Sequence, residues 1–225
     1  MQCPTISVQA ISKSYDGVEI VRDTTFTARP GDSIAFVSPS GSGKSTLLSM
    51  LGLILTPTGG GISVGDAPTS GMSDAERSTL RGATVGFVFQ HTQLIGSLRA
   101  WENVTVPARF APGRNAAEDE ERARALLERF GLSARAEHYP FQLSIGQKRR
   151  VACARALMLE PPVLIADEPT NDLDTASADS VTRALFEHVE NGGILMFATH
   201  DPSLSERAGR VFHLHGKCFE EDGAA

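Results

Sequence analysis

The run Ser38-Pro39-Ser40-Gly41-Ser42-Gly43-Lys44-Ser45-Thr46 gathers residue types that hold phosphate. Its glycines let backbone N–H groups wrap the phosphates of a nucleotide, and the start of a following helix adds partial positive charge. Lys44 reaches the β- and γ-phosphates, and the Ser45 hydroxyl can bind Mg²⁺. Ser38 stands where the usual G-x-x-x-x-G-K-[ST] pattern begins with glycine, a change that removes no phosphate donor. A glycine-serine surface turn is the plain rival reading; the apolar run Ser33 to Val37 before the loop and the helically spaced Leu47 to Leu55 after it argue against that.

Two further clusters carry chemistry. Val163-Leu164-Ile165-Ala166 reads as a strand covered on both faces, and it ends in Asp167-Glu168. Beside a phosphate loop, Asp167 would hold Mg²⁺ directly or through water and Glu168 would polarise an attacking water. Leu143-Ser144-Ile145-Gly146-Gln147 opens a helix running to about Leu159. Ser144 and Gln147 form a capping-box pattern, which presents a hydroxyl and free N–H groups to an anion.

The elements that must position these residues are legible in outline. Ile6, Val8 and Ala10 alternate with Ser7 and Gln9, a turn falls at Asp16-Gly17, and Thr24 to Ala28 is rich in β-formers. Gly59-Gly60-Gly61 ends the first strand-loop-helix unit, Ile62 to Val64 and Thr84 to Phe89 are strands, and Ile194 to Ala198 repeats the buried-strand pattern. From Asn115 to Phe130 a helical stripe is formed by Ala123, Leu126, Leu127 and Phe130, with Asn115 as cap, Gly131 as stop, and Glu118–Arg122 and Glu120–Arg124 as i,i+4 pairs. The expected fold is α/β, with a mixed, mainly parallel sheet core, an N-terminal antiparallel β region and a helical insertion. Glu220 to Ala225 reads as a frayed tail.

Composition removes several function classes. The 225 residues carry 21 basic and 27 acidic side chains, a formal net charge of −6, so no basic footprint for nucleic acid is present. Cys3, Cys153 and Cys218 are too widely spaced for a zinc site or a disulfide framework, and Cys153 reads as core packing. Met1 to Ala10 has no secretory pattern, and the most apolar stretch is far short of a membrane span. His213 and His215 share a strand face as a metal pair or, more simply, as a solvated C-terminal strand.

The order of phosphate loop, Gln90 after a strand, Leu143 to Gln147, Asp167-Glu168, Asn171-Asp172-Leu173-Asp174 and Thr199-His200-Asp201 resembles an ATP-binding-cassette (ABC) ATPase over nearly the whole chain. The resemblance implies a P-loop NTPase fold of ABC type and a single nucleotide-binding domain, residues 1–225. Its core would comprise roughly 1–90 and 160–225, and its helical subdomain roughly 91–159. It implies ATP and Mg²⁺ as ligands, with Tyr15 stacked on adenine and Ser38, Ser40, Gly41, Ser42, Gly43, Lys44, Ser45 and Thr46 around the phosphates. Ser45, Gln90 and Asp167 would hold the metal, Glu168 and His200 would act at the γ-phosphate, and Asp174 would face a partner's site. Tyr15 as a cover for a core edge and His200 as a strand-end histidine are the bland rivals.

In this family a phosphate loop and the signature of a second subunit complete one site, so Ser144, Gly146 and Gln147 imply a head-to-tail homodimer. Ile145 stands where the family has glycine, and a β-branched residue disfavours φ > 0, so altered dimer closure is expected. A separate permease would dock from Gln90 through Trp101-Glu102-Asn103-Val104, where Trp101 is either a contact or a core anchor. The chain would then sit at the cytoplasmic face of the cell membrane. Phe87-Val88-Phe89-Gln90 and Ala166 to Asn171 look most like the branch serving macrolide-exporter and lipoprotein-release permeases, which includes haem and antimicrobial-peptide exporters. A mechanical regulator similar to the cell-division member of that branch is the alternative; a soluble cassette acting on ribosomes or DNA lacks its usual tandem cassettes or coiled-coil insertion here.

Overall fold

The computed structural model describes residues 3–39 and 41–222. Ser40 of the phosphate loop lies outside the described residues, as do the last three residues of the expected tail. In chain order the elements are β1 (Ile6–Tyr15), β2 (Val18–Ala28), β3 (Ser33–Val37), α1 (Lys44–Leu51), β4 (Gly59–Val64), β5 (Ala67–Pro68), α2 (Asp74–Thr84) and β6 (Val85–Val88). They continue with α3 (Ala100–Thr105), α4 (Ala116–Arg129), α5 (Ile145–Ala156), β7 (Val163–Asp167), α6 (Thr175–Glu190), β8 (Ile194–Thr199), α7 (Pro202–Ser205), β9 (Arg210–His215) and β10 (Cys218–Glu221). Short 3₁₀ turns at Val106–Phe110, Ser133–Arg135 and Pro140–Gln142 link the middle helices.

Two sheets form. A four-stranded antiparallel sheet has the order β2-β1-β4-β5, and a six-stranded sheet has the order β10-β9-β3-β8-β7-β6, parallel except for the β9–β10 pair. Strand periodicity divides the core: Ile34, Phe36, Val163, Ile165, Ile194 and Met196 face α1 and the antiparallel sheet. Ala35, Leu164, Ala166, Leu195 and Phe197 face α3 to α6 on the other side. Both faces of the parallel strands are therefore dry, which is why those strands read as unbroken apolar runs. Phe26 of β2, Phe36 of β3, Phe212 of β9 and Phe219 of β10 pack ring to ring at centroid separations of 5.2–5.7 Å and bind the two sheets together.

Several expectations need correction. The run beginning at Leu47 is helical from Lys44 and stops at Leu51, where Gly52 breaks it. Gly59 to Gly61 belong to β4 because Gly60, at φ +73°, lies so close to Ala10 that a Cβ would fall 2.2 Å from the Ala10 carbonyl oxygen. The same place is irregular on β1: Ala10 has φ +45°, is exposed, and hands the inward position to Ile11. Thr84 closes α2 instead of opening a strand. Glu118 does not pair with Arg122, whose guanidinium instead reaches Glu160 at 2.8 Å and the Met158 carbonyl, while Glu120–Arg124 forms as expected. Glu220 and Glu221 are in β10, where Arg210 holds Glu221 at 2.6 Å.

Candidate functional site

The phosphate loop leaves the carboxyl end of β3, next to the ends of β8 and β7, where ligands of open parallel sheets bind. Gly43 caps α1 at φ +104°, and a Cβ there would come within 3.0 Å of Ile20, so both backbone shape and space call for glycine. Among the described residues no side chain caps α1, which leaves its first-turn N–H groups open to an anion. Lys44 is buried, and its Nζ donates to Ser38 O at 2.6 Å and Pro39 O at 3.1 Å while standing 3.3 Å from Glu168 Oε1. The Ser38 hydroxyl lies 2.5 Å from the Ser42 hydroxyl, which in turn reaches Pro39 O at 2.6 Å. The side chain that replaces glycine at Ser38 is thus absorbed into the loop's own bonding.

Asp167 closes β7 with 5% of its surface exposed. Burial pushes its carboxyl above the usual range, an effect that Glu168 reinforces and that the Ser45 hydroxyl, Lys44 and Arg149 counter. One of its oxygens, Oδ1, is buried without a hydrogen-bond partner among the described residues. Glu168 follows at φ +47°, its N–H bound to Ala198 O of β8 and its Oε2 2.9 Å from His200 Nδ1. Gln90 lies two residues beyond β6, and with Gly41, Gly43, Lys44, Ser45, Thr46, Asp167 and Glu168 it lines a cavity of about 220 Å³. Carboxylate, hydroxyl and amide oxygens around one cavity are hard-cation chemistry, and the orphaned Asp167 oxygen is an acceptor of the kind such an ion satisfies.

A larger cavity, about 620 Å³, lies where β7 and β8 begin, at the opposite end of the parallel strands. Its arginines are already engaged, Arg122 with Glu160 and Arg129 with Glu187, and no nucleotide motif reaches it. The smaller cavity is the candidate site.

The remaining residues singled out in the sequence stand apart from that cavity. Tyr15 ends β1 half-exposed, with Lys13 Nζ 5.3 Å from its ring centre. Ser144 caps α5: its hydroxyl accepts from Gln147 N at 3.2 Å, and Gln147 Oε1 accepts from Ser144 N at 2.9 Å. Gly146, in the first turn of α5, sits beside Asp174, which caps α6 by accepting from Ser177 N and Oγ. Ile145 is 63% exposed and is the first helical residue, so its position does not demand the positive φ that glycine would supply. Trp101 packs against the helical core beneath Arg124, as a core anchor does. Cys153 is fully buried, its thiol pushed up to about 12 by desolvation. His213 of β9 contacts Asp222 at 3.1 Å.

Two contributors carry no motif signal. Ile20 of β2 forms the wall against Gly43, and Arg149 of α5 reaches the backbone of Gln90. Only their tertiary placement reveals them.

A phosphate cradle of this construction at the carboxyl ends of a doubly covered parallel sheet defines a cassette-type ATPase. The chain belongs to the ABC transporter family, whose model matches residues 21–171, and it is an ATP-binding subunit that couples ATP hydrolysis to transport. It is 38% identical over 224 residues to the lipoprotein-releasing system ATP-binding protein LolD of Bordetella pertussis, covering 97% of this chain and 96% of that one. It is 44% identical over 198 residues to LolD of Gluconobacter oxydans, covering 88% and 85%. The pyoverdine export ATP-binding/permease protein PvdT of Pseudomonas fluorescens is 41% identical over this whole chain, which spans 35% of that longer protein. Among solved structures, a dimeric post-hydrolysis ATP-binding cassette bound to ADP and phosphate superposes with TM-score 0.90 at 31% identity and 96% coverage of both chains.

Proposed function

We propose that two copies of this chain, arranged head to tail, clasp two ATP molecules and drive a separate permease of the macrolide-exporter and lipoprotein-release type. The single observation that carries the reading is the separation within one chain of two half-sites. The phosphate cradle around Lys44 is one half, and Ser144, Gly146 and Asp174, the other half, lie outside it. A second copy supplies what one copy keeps elsewhere, and the dimeric cassettes among the structural relatives support that arrangement.

In this reading residues 1–225 are one nucleotide-binding domain, with a core of roughly 1–90 and 160–225 and a helical subdomain of roughly 91–159. Tyr15 stacks on adenine, the loop from Ser38 to Thr46 holds the phosphates, and Lys44 neutralises the β- and γ-oxygens. Ser45, Asp167 and Gln90 would hold Mg²⁺, which would supply charge neutralisation at the phosphates. Glu168, fixed by His200, orients and polarises the attacking water, and His200 bonds the γ-phosphate. Attack at the γ-phosphorus breaks its bond to the β–γ bridging oxygen and yields ADP and phosphate. Closure on ATP and release after hydrolysis act on the permease as a rigid-body motion.

No helix among the described residues is long and apolar enough to cross a membrane. In this reading a separate permease docks from Gln90 to Val104 at the cytoplasmic face. Ile95 and Phe110, both exposed, add apolar surface in and beyond that stretch. The names of the relatives, a lipoprotein-releasing system and a pyoverdine exporter, support export or release. The cargo in this reading is amphipathic, lipoprotein foremost, with haem, antimicrobial and peptide cargoes as the other members of the class.

The test is Glu168→Gln. With Mg-ATP this variant is expected to accumulate as an ATP-bound dimer, read by light scattering, with turnover lowered at least about 100-fold. A monomer at saturating Mg-ATP beside the cognate permease would refute the dimer, and turnover equal to wild type would remove Glu168 from its role.

A further inference from the structure

Arg149 lies on the second turn of α5 with only 4% of its surface exposed. Its Nη1 donates to Phe89 O at 3.0 Å and to Gln90 O at 2.6 Å, and its Nε has no partner among the described residues. Among the described residues it forms no ion pair, so this buried cation is held by carbonyl dipoles. Fixing a loop for stability alone is better done by a neutral donor, because a buried charge without a contacting counter-ion is costly. Asp167, across the cavity from Gln90, feels the Arg149 charge.

A second arginine of the same helix continues the pattern. Arg155 donates to Thr92 O at 2.8 Å and Gln93 O at 2.9 Å. Carbonyls at 89, 90, 92 and 93 are thus all taken by α5, in a segment that has no regular structure of its own. Gln90 lines the cavity, and its backbone is held by a helix whose cap is Ser144 and whose first turn carries Gly146.

We propose that Arg149 is the positioning residue of Gln90: it fixes the Phe89–Gln90 backbone so that the Gln90 amide is presented to the phosphate cavity, and it ties that segment to the helix bearing the signature. The inference rests on the reading of Gln90 as a nucleotide-site residue. Displacement of the Gln90 segment is then felt at Ser144 of the same chain through the side chain of Arg149.

The test uses the full chain with Arg149→Met and Arg149→Lys, alone and combined with Gln90→Ala. Steady-state ATP hydrolysis is measured, and amide hydrogen exchange is followed without nucleotide. Arg149→Met is expected to lower kcat about tenfold with KM for ATP held within about twofold. Exchange across residues 89–93 should accelerate about tenfold while the middle of α5 keeps its protection. Adding Gln90→Ala to Arg149→Met should cost less than about a further twofold, because both changes break one arrangement. Arg149→Lys should recover most of both losses. Unchanged exchange in Arg149→Met, or effects of the two substitutions that multiply in full, overturns the tie and leaves the reading of Gln90 standing. A normal kcat in Gln90→Ala overturns that reading and the proposal with it. Where Arg149→Met does not fold, Arg149→Gln takes its place: its amide nitrogen sits two bonds nearer the backbone than Arg149 Nη1 and does not reach both carbonyls, so the same fall in kcat and faster exchange across residues 89–93 are expected, and their absence overturns the tie.

Discussion

Glu168 is held in a left-handed backbone conformation between Lys44 and His200, while Asp167 beside it keeps one oxygen buried without a partner among the described residues. The two carboxylates therefore differ in what they want. Lys44 serves Glu168 and two loop carbonyls at once, so an incoming phosphate competes for one ammonium; Lys44→Ala is expected to abolish ATP binding or turnover, checked by equilibrium binding and a phosphate-release assay. Asp167 is disfavoured as a carboxylate because burial raises its pKa above the unfolded value. Its ionised form costs stability above the folded pKa, and that cost is relieved as pH falls through it. Asp167→Asn should therefore raise the melting temperature near pH 7–8 by a few degrees, at roughly 2–4 °C per kcal/mol for a chain of this size. The gain should shrink as the pH is lowered, and Mg-dependent ATP hydrolysis should fall in the same variant. A lower melting temperature at pH 8 would show that the negative charge is stabilising instead.

Among the elements, the packing of β6 on the end of α5 is the tightest approach near the site. A Cβ on Gly86 would lie 2.2 Å from the Ala156 carbonyl oxygen and 2.7 Å from Pro161, so neither neighbour can yield cheaply. Gly86→Ala is expected to destabilise by roughly 1–3 kcal/mol, seen as a lower denaturation midpoint, and to impair turnover by shifting Gln90 at the end of that strand. The strands and the loop that carry the site were legible because each is local: unbroken apolar runs flank a glycine-rich loop, and Asp167-Glu168 marks a strand end. Helix α6 was not, since Asp174, read as a partner-facing group, is also the cap that starts it, and its first turns are small and polar. Helix α2 was hidden likewise, with Ser73 and Glu76 forming a capping box in front of a mostly exposed surface on which Leu80 is the one aliphatic side chain larger than alanine. Ile20 and Arg149 had no chance of being seen, because each acts through a neighbour distant in sequence.

At the scale of the whole molecule the question is how many chains make one working site, and α5 frames it. Its capped N-terminus carries Ser144, exposed Ile145 and Gly146 without contributing to the cavity around Lys44. If the sites are shared, a chain lacking Lys44 still offers a sound signature, and a chain with a damaged signature still offers a sound cradle. Lys44→Ala and Gly146→Asp are each expected to be inactive alone, the second by placing a carboxylate where a phosphate oxygen must approach. Mixed one to one, they form about half mixed dimers, and each mixed dimer holds one intact composite site, so about a quarter of the sites return. Retained Mg-ATP after rapid gel filtration, with Glu168→Gln added to both chains, counts those sites directly. Retention no greater than the mean of the two separate variants would mean that each chain closes its site with its own residues, and Ser144 and Gly146 would then have to reach their own cavity by a rearrangement of α5.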